Sequence, residues 1–214
     1  MSSCKNKILI IFSLFALITC INFNIVYAND IINKSFYIGS EKSNYPVIQT
    51  NDSEINFKIN RDIQNYLSDM RAAVDSIPDT SSSMYYNITY NDAKIVSLVF
   101  KEYRFYKGAA HGNYFINGVV YDKTIGERIP LSHYLTITAP QLQKMLDNKE
   151  AVILGGDGNT PVSIDSFIGD LYIPQDYCIS KKDNKLYISL IYPPYALAPY
   201  VYGTLYITMP LKNN

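Results

Sequence analysis

The stretch from Ile95 to Tyr106 constrains this chain more than any other, because it reads as an unbroken β-strand with two apolar faces. Side chains alternate across a strand, so Val96, Leu98 and Phe100 share one face while Val99, Tyr103 and Phe105 take the other. A strand apolar on both sides must be covered on both sides, which makes it central. Its sequence neighbours supply partners. Met84 to Tyr90 reads as a strand, Asn91-Asp92 as a tight turn, and Tyr114 to Tyr121 as a strand pairing back after Gly108-Ala109-Ala110-His111-Gly112-Asn113. Glycine is needed where the backbone takes positive φ or passes close to another segment. His111, one of two histidines, is either a passive part of this small-residue connection or a ligand-contacting side chain held by it.

Upstream, Ile55, Ile59, Ile63, Leu67, Met70, Val74 and Ile77 recur at intervals of three and four. That stripe predicts a long amphipathic helix, capped by Asp52 or Ser53 and ending near Pro78. Its other face, with Glu54, Lys58, Asp62, Asp69 and Arg71, reads as solvated surface. Two strands precede it, Ile32 to Ser40 and Tyr45 to Gln49, the second confined by Pro46 to an edge or a strand start. Asp79 to Ser83 reads as a polar linker.

Downstream, Asp122 to Gly126 turns into Glu127-Arg128-Ile129, and Leu131 to Leu135 forms a helical turn. Thr138 and Pro140 open a helix through about Asn148, and Ser163 to Asp170 suggests another short one. Tyr177 to Ser180 and Lys185 to Tyr192 form a hairpin, and Tyr202 to Met209 closes the sheet. The pattern predicts an α+β fold: an antiparallel meander with one long N-terminal helix and short helices packed on it.

The first 28 residues read as an export signal: Lys5 and Lys7, an apolar run from Ile8 to Thr19, and Val26-Tyr27-Ala28 before the cut. Leu17-Ile18-Thr19-Cys20 offers a rival, lipid-anchored cut, and an uncleaved anchor is a third possibility, although the run is marginal for a span of ~20 residues. Cleavage after Ala28 leaves 186 of 214 residues, with 17 basic and 19 acidic side chains, a balance that suggests no nucleic-acid partner. Cys178 is then the lone cysteine, which excludes a disulfide framework and reads as buried packing. Twenty tyrosines and no tryptophan favour strands first and a wet binding surface second. Gly155-Gly156-Asp157-Gly158-Asn159 matches neither a phosphate loop nor a calcium loop and reads as a surface loop.

Tyr192-Pro193-Pro194-Tyr195-Ala196-Leu197-Ala198-Pro199-Tyr200 contains three prolines, each of which fixes φ and removes a donor. It is a stiff crossover between strands, carrying aromatic rings suited either to recognition or to packing at a corner.

The two motifs together carry a family resemblance. Gly108 to Asn113, Thr124 to Glu127, Pro130-Leu131-Ser132, the proline-tyrosine crossover and Gly203 resemble the extracytoplasmic domain of unknown function found in RsiV-like anti-sigma factors and beside the catalytic domain of PdaC-like peptidoglycan deacetylases. Family members read G-G-A-H-G and P-Y-E-I-A-P-Y-A-x-G; here Ala109 replaces a glycine and Ala196 the acidic residue, so no role is carried over for that carboxylate. The resemblance implies a division into a signal at 1–28, a companion module at 29–80 and the RsiV-like domain at 84–214. It also implies an α+β fold and binding rather than catalysis, with a lysozyme-like protein or peptidoglycan as the partner.

The residue inventory agrees with a non-catalytic role. His111 and His133 stand 22 residues apart without a zinc-site spacing, no G-x-S-x-G elbow occurs, and Cys178 has no evident partner. No cofactor or metal is expected, and two-carboxylate glycosidase chemistry stays open. About seven residues precede the apolar run, too few for a cytoplasmic anti-sigma domain. The expected ligand contacts are His111, Asn113, Tyr195 and Tyr200, framed by Gly108, Gly112, Pro194, Pro199 and Gly203. The competing expectation is an accessory envelope domain with no specific ligand.

Overall fold

The computed structural model describes residues 30–156, 158 and 160–211. The expected export segment, with its cut after Ala28 and the alternative at Cys20, lies outside them. Strands β1 (Ile31–Ile38) and β2 (Glu41–Ile48) form an antiparallel hairpin turning at Gly39. Helix α1 (Ser53–Asp75) follows, and the Asp52 carboxylate accepts the backbone N–H groups of Glu54 and Ile55 as its N-cap. The stripe is buried from Ile59 through Ile63, Leu67 and Met70 to Val74, whereas Ile77 lies beyond the last turn and is 42% exposed.

α1 lies on a four-stranded antiparallel sheet ordered β3 (Thr80–Asn91), β4 (Ile95–Tyr106), β5 (Asn113–Asp122) and β6 (Glu127–Arg128). Its stripe meets Met84, Val96, Leu98, Phe100, Val119 and Tyr121, all on one face. The expected polar linker Asp79–Ser83 is instead mostly strand. Thr80 to Ser83 pair with Tyr106 to Tyr103, giving the far end of β4 a partner for its backbone groups.

The expected single α+β sheet with short helices packed on it is overturned. Among the described residues the strands fall into three antiparallel sheets, there are only two α-helices, and strand is the predominant regular structure. The third sheet runs β8 (Thr160–Pro161), β7 (Val152–Gly155), β11 (Leu205–Pro210), β10 (Lys185–Tyr192) and β9 (Tyr177–Lys182). Of the expected short helices, one is α2 (Ala139–Asp147), which Thr138 and Gln141 close with a capping box. The others are single tight turns at Leu131–His133 and Ile164–Ser166.

The physical reason lies in β4. Its second apolar face is covered by a sheet, not by helices: Val99 packs with Cys178, Ile191 and Tyr206, and Ser97 Oγ accepts the Ile179 N–H at 2.9 Å. An apolar face demands a cover without specifying its kind. The third sheet carries a separate core in which Leu131, Leu142, Leu190, Leu197 and Ile207 are buried.

Candidate functional site

The glycine turn and the proline-tyrosine crossover meet where β4 hands over to β5. Gly108 lies in the turn after β4 with φ +86°, and the Ala109 N–H donates to the Tyr106 carbonyl to close the turn. Gly112 is required by proximity: a Cβ there would fall 2.3 Å from Cζ of Tyr103, so only a glycine lets that ring lie against the backbone. In the crossover, Leu197 and Ala198 are buried anchors. Tyr195 takes φ +69°, and the Ala196 N–H donates to the Pro193 carbonyl beside half-buried Pro194. Pro199 opens the tight turn Tyr200–Tyr202, which ends at Gly203 with φ +63° and ψ −144°. Stiffness and anchoring therefore fix which way the crossover tyrosines point.

Tyr200 reaches the glycine turn. Its hydroxyl donates to the Gly112 carbonyl at 2.9 Å, and His111 Nδ1 contacts the same oxygen at 3.0 Å. A carbonyl oxygen only accepts, so Nδ1 carries the proton in this contact and Nε2 of the neutral ring is left as an acceptor. The His111 and Tyr200 rings stack with centroids 4.3 Å apart at 24°, and Tyr195 lies 5.2 Å beyond Tyr200 at 33°. His111 is exposed and Tyr195 is 54% exposed, so one flank of the stack is open. Tyr103, whose ring lies against Gly112, and Tyr114 are directly paired across β4 and β5 and stand 5.1 Å apart. The Tyr200 phenol is pushed above its ordinary range, first by burial and then by Tyr114, Tyr103 and Tyr195.

His111, Tyr195 and Tyr200 thus come together, while Asn113 does not join them. It opens β5 opposite Arg104, and alternation turns it to the face away from Tyr114. Gly108, Gly112, Pro194, Pro199 and Gly203 frame the cluster. Sequence reasoning missed Tyr103 and Tyr114 as members. Pairing β4 and β5 back from the glycine turn would have placed them side by side.

Three carboxylates, Glu102, Asp62 and Asp176, are engaged elsewhere. Glu102 takes Arg104 Nε at 2.8 Å and Nη2 at 2.9 Å together with the Ser82 hydroxyl, all buried. Asp62 takes the Tyr121 hydroxyl at 2.7 Å and Arg128 Nε at 2.6 Å, tying α1 to β5 and β6. Asp176 accepts the Gly118 N–H at 3.0 Å and Asn117 Nδ2 at 2.9 Å. Burial pushes the Cys178 thiol up to about 11, which leaves it unreactive at neutral pH. His133 stacks edge-on against Tyr134, away from this cluster. Among the described residues no group of three or more His, Cys, Asp or Glu is placed to hold a metal. The cluster offers flat rings, phenol hydroxyls and one imidazole acceptor, which is chemistry for holding a ligand.

Comparison with known proteins follows this geometry. The family model described as "Deacetylase PdaC" matches residues 32–114, from β1 to the start of β5. No protein among the curated sequences compared matches the chain. Among solved structures, a member of the DUF3298 family from Bacteroides fragilis superposes with a TM-score of 0.53 at 13% identity, covering 86% of this chain and 92% of its own. A DUF3298 family protein from Pseudomonas aeruginosa PAO1 gives 0.52 at 15% identity, covering 84% and 88%. At such identities the likeness is one of fold.

Proposed function

We propose that this chain is an exported bacterial cell-envelope protein whose non-catalytic, RsiV-like domain binds peptidoglycan glycan on the surface formed by His111, Tyr195 and Tyr200. The observation that carries the reading is the His111–Tyr200 stack. Its ring is held by the Gly112 carbonyl, and Tyr195 stands open beside it. A rigid, exposed aromatic platform suits the apolar face of a sugar ring, and its ordering cost is met in the fold rather than on binding. Loops projecting from a rigid sheet are the usual place for recognition. The PdaC family match over residues 32–114 supports an envelope setting, and the motifs Gly108–Asn113 and Pro193–Tyr200 support the RsiV-like assignment. Export rests on Lys5, Lys7 and the small residue Ala28.

The test is co-sedimentation with insoluble peptidoglycan beside a pull-down on lysozyme, each with wild type and Tyr195→Ala. Retention on peptidoglycan that Tyr195→Ala removes supports the reading. Retention on lysozyme alone moves the ligand class to a protein, and retention on neither leaves an accessory envelope domain.

A further inference from the structure

A second surface lies where the β1–β2 hairpin meets the outer strand of the four-stranded sheet. It is an open groove of about 660 Å³, a size within the range of ligand sites. Three primary amides converge on it from three strands: Asn33 from β1, Asn44 from β2 and Asn87 from β3. Tyr85, Tyr86 and the exposed Ile88 supply apolar area beside them. Ser35 Oγ donates to Asn44 Oδ1 at 2.8 Å, which fixes the orientation of that amide and leaves its NH₂ free to donate. Asn33 and Asn87 are exposed.

Among the described residues, the groove is lined by no acidic or basic side chain, although the sequence has 19 of each sign. The groove therefore fits a neutral ligand rich in hydroxyl and amide groups. A phosphate or a charged peptide finds no partner there. A polypeptide adding itself as a strand is disfavoured too, because β3 carries a register shift between Ile88 and Tyr90, which interrupts its regular edge.

Tyr85 borders the groove on the sheet face that also carries Tyr103 and Tyr114. Tyr85 and Asn87 lie on the same face of β3, and Tyr85 opposes Lys101, two residues from Tyr103 on the same face of β4. Tyr114 pairs with Tyr103 across β4 and β5 and shares that face. Tyr85, Tyr103 and Tyr114 thus lie on the face of the β3–β5 sheet that carries Asn87.

We infer that the Asn33–Asn44–Asn87 groove is a second subsite for an N-acetylated glycan chain, in which the three amides pair with acetamido and hydroxyl groups while Tyr85 covers a ring face. This rests on the glycan reading of the platform and extends it from a single contact to a chain laid across the β3–β5 sheet. The groove serves sugars beyond those held at His111, so its contribution appears only with longer ligands.

The test is calorimetric titration of the full exported protein with β-1,4-linked N-acetylglucosamine dimers and hexamers. It compares wild type, the pair Asn33→Ala with Asn87→Ala, and Tyr195→Ala. Both asparagines are exposed, so the pair should melt like wild type. Loss of two hydrogen-bonding amides is expected to weaken hexamer binding about tenfold and leave dimer binding unchanged. Side-chain amide NMR signals of Asn33 and Asn87 should shift on adding hexamer. If the paired variant binds hexamer as wild type does, the subsite is overturned, whatever Tyr195→Ala does. If the pair loses hexamer binding while Tyr195→Ala keeps it, the groove stands and the platform reading fails instead. A wild-type protein that binds neither oligomer overturns both.

Discussion

The hydroxyl of Tyr200 donates to the carbonyl oxygen of Gly112 at 2.9 Å, joining two segments 88 residues apart in sequence. The same oxygen receives His111 Nδ1, so both of its lone pairs are used. Tyr200→Phe removes one bond and keeps the stacked ring. It should lower stability by about 0.5–1.5 kcal/mol. His111→Ala, at an exposed position, should remove ligand retention with little change in melting. A double-mutant cycle separates the roles. A shared stability loss of ~1–3 kcal/mol with coupling between the two would make them a clasp, and the recognition role would be dropped.

Gly112→Ala tests the close approach to Tyr103. The added methyl must displace the ring, so a loss of roughly 1–3 kcal/mol in denaturant melts is expected. The Tyr103 and Tyr114 ring signals should move with it. A variant as stable as wild type with unshifted rings would mean that the turn yields instead.

Helix α1 is core along five positions. Ile63→Ala or Leu67→Ala should each cost about 2–5 kcal/mol, while Ile77→Ala, beyond the helix and 42% exposed, should stay within roughly 0.5 kcal/mol. Equal effects at all three sites would contradict the burial pattern.

Asp176 supplies a pH-dependence. Burial raises its carboxyl above the ordinary range, against the lowering influence of the Gly118 N–H and Arg128. The folded chain therefore holds this proton more tightly than the unfolded chain. The associated stability is fully present below the unfolded pKa of about 4 and is lost as pH rises through the raised value. Asp176→Asn keeps an oxygen for the Gly118 N–H and removes the charge. The variant should be the more stable at pH 7, with the advantage shrinking toward pH 3 in thermal melts. An advantage that grows toward acid would reverse the sign of the argument.

Export predicts a mature N-terminus at Asn29, read by N-terminal sequencing of the protein recovered outside the cytoplasm. A lipidated Cys20 at the terminus would overturn the Ala28 cut.

Local chemistry was written plainly along the chain. The spacing from Ile59 to Val74 defined α1, Asp52 its start, and the glycine turn the β4–β5 pairing. These features depend on residues within a few turns or one hairpin of each other, and periodicity records them. The two faces of β4 were equally legible as buried, but the identity of the second cover was not. Val99 meets Cys178, Ile191 and Tyr206 from strands far along the chain, and an apolar side chain packs as well against a sheet as against a helix. The candidate site divides in the same way. Gly112 and the prolines announced two stiff segments, yet the stacking of His111 on Tyr200, and the pairing of Tyr103 with Tyr114, needed the strand register and the anchoring of Leu197 to decide. Sequence sets which groups seek burial or a partner; which ones they meet is settled by the whole chain closing on itself.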